Sequence, residues 1–155
     1  MHEMSHKNPF WLIGTLGGVG RSPVAPGTCG AFVTLPFAWA IQAFFGTQGL
    51  MIAVVVLFFV GWMAAHYVCV EMADSDPQEV VIDESVGQLI ALFFIPMNWH
   101  WYVVAFILFR AFDIIKPWPI NYVETRFDNG FGVMLDDVVA GFFALCSVQV
   151  IYLIV

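Results

Sequence analysis

The sequence predicts an all-α fold: a polytopic integral membrane bundle of about four to five helices, in two hairpins plus a C-terminal helix. Three observations predict it. The apolar fraction is 61% and the charged fraction 11%, against about 45–50% and about 25% in ordinary soluble domains. The apolar residues fall in long runs, at 31–45, 50–70 and 133–155 among others. Between the runs lie short stretches that gather the glycines, prolines and charges, as membrane helices joined by polar loops require. At 155 residues the chain makes one domain, 1–155.

The net charge of −7 excludes nucleic-acid binding, which needs a basic excess against phosphate. It also excludes simple adhesion to anionic lipid. Cys29, Cys69 and Cys146 are odd in number and far apart, so they read as small packed residues, not as a disulfide frame or zinc site. Residues 1–13 carry His, Glu and Lys without an apolar core and cleavage site, so no signal peptide is expected.

Residues 1–8 read as a flexible polar tail, followed by an amphipathic lead-in to 13. Residues 14–30 hold six glycines, two prolines and one arginine, too many helix breakers for a helix interior. No strand precedes these glycines, so neither a dinucleotide fingerprint nor a Walker loop fits. Such a loop can present backbone N–H groups to an anion, with Arg21 and Thr28 as phosphate-binding candidates; alternatively it only leads the chain into the membrane. Gly46-Thr47-Gln48-Gly49 suits a tight hairpin between the runs 31–45 and 50–70. His66, one turn before the end of the second run, is either a packed interfacial residue or a ligand.

Residues 71–85 hold six acids and no Lys or Arg. Asp76-Pro77-Gln78-Glu79 reads as a helix start, predicting a helix over 77–95. Glu71, Asp74, Asp76 and Glu79 then belong to a solvated loop and cap. Asp83 and Glu84 are embedded among Val80-Val81-Ile82 and Val86 onward, about two turns into that helix. Buried carboxylates need partners, and none lies nearby in sequence. Pro96-Met97-Asn98, with Trp99, Trp101 and Tyr102, reads as a turn at an interface, so a second helix is predicted at 99–113. Lys116-Pro117-Trp118-Pro119 is a stiff stop. The last helix, 133–155, has Asp136 and Asp137 in its first turn, where the helix dipole favours negative charge. Gly141 permits close helix approach.

Two hairpins bring 14–30, 71–85 and 114–132 to one membrane face. Arg21, Arg110, Lys116 and Arg126 lie in or beside those loops, Lys7 precedes the first, and no Lys or Arg lies in 46–49 or 96–100. The positive-inside rule then places the shared face in the cytoplasm. There Arg110 and Lys116 can hold a phosphate while Asp113, Asp136 and Asp137, with Asp83 and Glu84, can hold a divalent cation. Ionisable groups at membrane depth are functional candidates, and Mg²⁺ takes oxygen ligands shared between a few carboxylates and a phosphate. This points to metal-assisted phosphoryl hydrolysis. No Cys is followed six residues later by Arg, and neither Asp-x-Asp-x-Thr/Val nor Ser-Gly-His occurs. Water is therefore the expected nucleophile, with an aspartyl phosphate as the other option.

Four motifs carry a family resemblance over about residues 8–155. They are Ser-Pro-Val-Ala-Pro-Gly-Thr at 22–28, Val-Ile-Asp-Glu-Ser-Val-Gly at 81–87, Phe-Arg-Ala-Phe-Asp-Ile-Ile-Lys-Pro-Trp-Pro-Ile at 109–120, and Gly-Val-Met-Leu-Asp-Asp-Val-Val-Ala-Gly at 132–141. In this order they resemble the phosphatidylglycerophosphatase A family. The resemblance implies a Mg²⁺-dependent, multi-pass enzyme of the bacterial inner membrane that hydrolyses phosphatidylglycerophosphate. It implies catalytic or metal-binding roles for Asp83, Glu84, Asp136 and Asp137, and roles for Arg110, Asp113 and Lys116 from the central motif. His66 stands where the family tends to have a histidine, whereas Cys29 departs from the bulky residue usual after Pro-Gly-Thr. Two rivals remain at this stage. A small ion or proton carrier would use the acids but leaves Arg110, Lys116 and the glycine-proline loop unexplained. A head-group transferase would carry Asp-x-x-Asp-Gly-x-x-Ala-Arg, which is absent.

Overall fold

The computed structural model describes residues 8–155; the predicted N-terminal tail, Lys7 included, lies outside them except for Asn8. Among the described residues there are six α-helices, one 3-10 turn at Val19–Arg21 and no strand. The helices are α1 (Pro9–Gly14), α2 (Pro26–Met72), α3 (Ile82–Ala91), α4 (Trp99–Ile115), α5 (Ile120–Arg126) and α6 (Gly130–Ile154). The short α1 and α5 fall in stretches expected to be lead-in and loop. Two helices are long and apolar enough to cross a membrane, α2 with a mean hydropathy of 2.3 and α6 with 2.0.

The predicted first hairpin is α2, broken at Gly46, where φ is 64° and ψ −164°. That left-handed backbone favours glycine, and the reversal occupies one residue, not the four of 46–49. Its arms, 26–45 and 47–72, lie side by side. Ile41 and Leu57 line the same groove, and a Cβ on Gly49 would meet Ile41 Cγ2 at 3.1 Å. The first arm starts at Pro26, so 26–30 is helical and not loop.

The predicted helix 77–95 is much shorter. Val81 N donates to Gly14 O at 2.9 Å and Val80 N to Pro77 O at 3.0 Å, so 77–80 turns instead of opening a helix. A tertiary hydrogen bond has overridden the local Asp76-Pro77 signal. Asp83 and Glu84 therefore stand in the first turn of α3, where the dipole argument applies to them. Helix α6 instead starts earlier than predicted. Asn129 caps it, accepting from Phe131 N at 3.0 Å and Gly132 N at 3.2 Å. The helix thus begins at Gly130, before the predicted 133, and Asp136 and Asp137 lie beyond its first turn.

At ten residues α3 is about 15 Å long, half a bilayer core. Irregular chain from 92 to 98 continues it, since Phe94 adopts φ 60° and Pro96 disfavours helix at Ile95. Backbone without a helix inside an apolar bundle needs other partners. Gln149 Nε2 donates to Phe93 O at 3.1 Å and Gln42 Nε2 to Ile95 O at 3.0 Å, while Tyr102 donates to Gln42 Oε1. This explains two glutamines within long apolar helices. α3 is the core element, packed on α2 and α6, with α4 on α6; all of Ile82–Ala91 is buried except Glu84.

Candidate active site

The acidic pairs meet because α3 and α6 cross at two glycines. A Cβ on Gly141 would lie 2.5 Å from Gly87 O, and one on Gly87 would lie 2.6 Å from Asp137 O. Only residues without a side chain allow that approach. Asp83 is one turn before Gly87 and Asp137 one turn before Gly141, so the crossing brings these carboxylates face to face. Asp83, Glu84 and Asp137 each offer an oxygen within 4.8 Å of the others. Asp83 Oδ1 and Glu84 Oε2 are buried without a hydrogen-bond partner. Buried carboxylate oxygens left this way are costly, and a hard divalent cation is the partner that fits these two together with the adjacent Asp137 oxygen. One turn below Glu84, Gln88 is fully buried with its amide also unpartnered.

The cations arrive on α4. Arg110, five residues before the end of α4, donates to Asp113 and has Nη1 4.0 Å from Glu84 Oε1. Lys116 caps the helix with φ 47°, ahead of the predicted Pro117 stop. Its Nζ contacts Glu124 Oε1 at 2.6 Å and Asp136 Oδ2 at 2.8 Å. Burial works against the lysine's charge, but Asp136 and Glu124 more than offset it and hold the pKa above the ordinary lysine value. Asp136 is thus drawn to Lys116, and its Oδ1 accepts from Asp137 N at 2.9 Å. It stands apart from the group formed by the other three acids.

These residues line one cavity of about 220 Å³. The first turn of α2 closes one wall, with Gly27 so near that a Cβ would lie 3.2 Å from Arg110 Nη2. Asp76, Asp83, Glu84, Asp113, Asp136 and Asp137 face it against only Arg110 and Lys116. Each uncompensated like-charge pair at about 4 Å costs on the order of 4 kcal/mol at an effective dielectric near 20. A phosphate cannot enter such a cavity without added positive charge. The cavity can therefore take a cation and an anion together.

Seven sequence candidates, Asp83, Glu84, Arg110, Asp113, Lys116, Asp136 and Asp137, are gathered here. Arg21 lines a neighbouring cavity. Thr28 lies in the first turn of α2 without lining either, and His66 is exposed, with only its backbone packed, against Gly130. Sequence reasoning missed Asp76, assigned to a solvated cap, and Glu124, which shares Lys116. The acids of 71–85 signalled Asp76 only as one of several; nothing in sequence pairs Glu124 with Lys116.

The phosphatidylglycerophosphatase A family model matches residues 12–152. Over 153 residues the chain is 34% identical to phosphatidylglycerophosphatase A of Escherichia coli K12, covering 98% of this chain and 87% of that protein. The Haemophilus influenzae protein of the same name is 35% identical, covering 96% and 91%. A Bacteroides thetaiotaomicron protein with the provisional name phosphatidylinositol-3-phosphatase is 44% identical, covering 90% and 91%. No solved structure matches.

Proposed function

This chain belongs to the phosphatidylglycerophosphatase A family, and from that premise we propose that it hydrolyses the terminal phosphomonoester of phosphatidylglycerophosphate. The products are phosphatidylglycerol and phosphate. The observation that carries this reading is the meeting of Asp83, Glu84 and Asp137 oxygens from α3 and α6, with Asp83 Oδ1 and Glu84 Oε2 unpartnered, in one cavity with Arg110 and Lys116. Asp83, Glu84 and Asp137 would hold Mg²⁺. Bound there, the ion supplies neutralisation of phosphate charge and lowers the pKa of water.

The chain's own groups do the rest. Arg110 turns from Asp113 to the phosphate, its planar fork taking two oxygens, while Lys116 acts as a point charge. Asp113 and Asp136 keep those bases at the cavity wall. As carboxylates outside the cation group, they are the residues to take the proton of the attacking water. The phosphorus–oxygen bond to glycerol breaks as water's oxygen bonds to phosphorus, and the glycerol oxygen, given the proton that the carboxylate took from water, leaves as the hydroxyl of phosphatidylglycerol. Gly27, pressed against Glu84 and Arg110, leaves no room for bulk water on that side.

The protein is multi-pass: the two arms of α2, the α3 segment with 92–98, α4 and α6 cross the bilayer. Arg21, Arg110, Lys116 and Arg126 share the cavity's end of the bundle, which supports a cytoplasmic site in the bacterial inner membrane. A second reading, a phosphoinositide 3-phosphatase, is favoured by the 44% identity to the Bacteroides protein. The two substrates share one pattern: a monoester on a polyol carbon one removed from the carbon bearing the phosphodiester. Phosphate release by the purified protein from each lipid, with and without EDTA, tests the proposal. Hydrolysis of phosphatidylglycerophosphate at the higher kcat/KM, lost in EDTA, supports it; preference for the inositol lipid favours the second reading, and no hydrolysis of either refutes both.

A further inference from the structure

Beside the acidic cavity lies a second polar cavity of about 200 Å³, walled by the 3-10 turn and the start of the acidic loop. Pro26 and Gln78 line both, so the two adjoin. Arg21 belongs to the second, and its place there is fixed by the backbone around it. A Cβ on Gly20 would strike the Glu79 carbonyl and lie 3.2 Å from its Cα, so the turn is pressed onto residue 79. Two residues further, Val81 N bonds to Gly14 O at 2.9 Å. The guanidinium lies over the Trp11 ring, 5.8 Å from its centroid, a cation–π contact that orients it without neutralising it.

Its electrostatic situation differs from that of the other site cations. All the ion pairs among the described residues involve Arg110 or Lys116. Among the described residues Arg21 has no carboxylate within 4.0 Å, although Glu79 lines the same cavity and the chain carries twelve acids against five bases. Arg21 is exposed, so its guanidinium is open to an anion, and its fork matches phosphate oxygens. That anion is not the reacting monoester, whose two bases and cation ligands are all in the adjoining cavity. The substrate brings a second anion of its own, the singly charged diester between its polyol and its glyceride, for which one arginine is a sufficient counter-charge.

Resting on the substrate reading above, we propose that Arg21 binds the phosphodiester of the lipid head group while the monoester occupies the acidic cavity. Arg21 thereby selects lipids that carry a diester next to the phosphorylated polyol. It contributes affinity and alignment, and takes no part in bond breaking.

The test assays the purified full-length protein in detergent micelles on phosphatidylglycerophosphate, as wild type, Arg21→Ala and Arg21→Lys. Phosphatidylglycerol, which keeps the diester and lacks the monoester, is added as a competing product. Arg21→Ala is expected to raise KM and the inhibition constant of phosphatidylglycerol together, each about ten-fold, or about 1.4 kcal/mol. kcat stays within about two-fold. Arg21→Lys, which retains the charge but loses the planar fork, recovers only part of both. A merely structural role would lower kcat and thermal stability without moving the product's inhibition constant. Should Arg21→Ala fail to fold, Arg21→Gln, whose stem still lies on Trp11, carries the same expectation. An unchanged KM and inhibition constant beside normal wild-type turnover overturn the role of Arg21 alone. Absence of wild-type turnover on both this lipid and phosphatidylinositol 3-phosphate overturns the functional reading and the proposal with it.

Discussion

Replacing Gly27 with alanine should spare the fold and remove most of the activity. Gly27 follows Pro26 at the start of α2, and alanine is the better helix residue by roughly 0.5–1 kcal/mol. Yet a methyl there would overlap Glu84 Oε1 and lie 3.0 Å from Glu84 Cδ and 3.2 Å from Arg110 Nη2. Non-bonded carbons settle at about 3.5–4.0 Å, so the carboxylate must retreat by on the order of 1 Å. The obstructing atoms are the ends of side chains, which can move at little cost in stability. Moving Glu84 takes it out of the group it forms with Asp83 and Asp137, all within 4.8 Å. Misplacing a catalytic group by about 1 Å costs about 10²-fold in rate, equivalent to roughly 2.7 kcal/mol of barrier. The assay pairs phosphate release from phosphatidylglycerophosphate with a thermal melt in the same detergent. Gly27→Ala is expected to show a Tm at or above wild type and a kcat/KM about 100-fold lower. A stable variant within about three-fold of wild type would show that Glu84 does not need its present place. A variant that loses activity only because its Tm collapses would make Gly27 a matter of packing.

Gln149→Leu removes the donor to Phe93 O and leaves a carbonyl of the irregular 92–98 segment unpaired. It is expected to cost about 1–3 kcal/mol, seen as a lower Tm in detergent with kcat nearly retained; an unchanged Tm would mean that this carbonyl finds another partner. Cysteine reporters at 74 and 128, in a background without native cysteines, are expected to label from the cytoplasmic side only. Reporters at 47 and 98 are expected to label from the outside only. Labelling of 74 and 128 from opposite sides would break the shared face on which the site depends.

The parts of the site legible in the sequence were those that charge alone exposes. Asp83, Glu84, Asp136 and Asp137 stood out because carboxylates are rare amid apolar runs, and the hairpin at Gly46 because glycine clusters interrupt one. The two predicted hairpins set which loops share an end, and the cavity lined by Pro26, Asp76, Lys116 and Asp137 joins those loops. What could not be read were decisions made between elements distant in sequence. Asp76-Pro77 signals a helix locally, but Val81 N is claimed by Gly14 O, so the helix starts at Ile82. The acids of α6 looked like first-turn residues because Asn129 could not be identified as its cap. Asp136 looked equivalent to Asp137, yet Lys116 holds it at 2.8 Å while its neighbour points to α3. Gln42 and Gln149 carried no signal, since their purpose depends on backbone at 93–95 that no local rule predicts to be irregular.

The central claim is that carboxylates from α3 and α6 form a single Mg²⁺ site at which the lipid monoester is cut. The most direct measurement is phosphatidylglycerophosphate turnover by Asp83→Asn and Asp137→Asn, each purified, checked for folding and titrated with Mg²⁺. Each change removes one hard, charged oxygen ligand and leaves the phosphate less neutralised. The account predicts that both variants lose turnover by about 10²-fold or more at low millimolar Mg²⁺, the size of loss expected when one preorganised electrostatic contact is removed. Wild-type turnover by both variants at that concentration would contradict it.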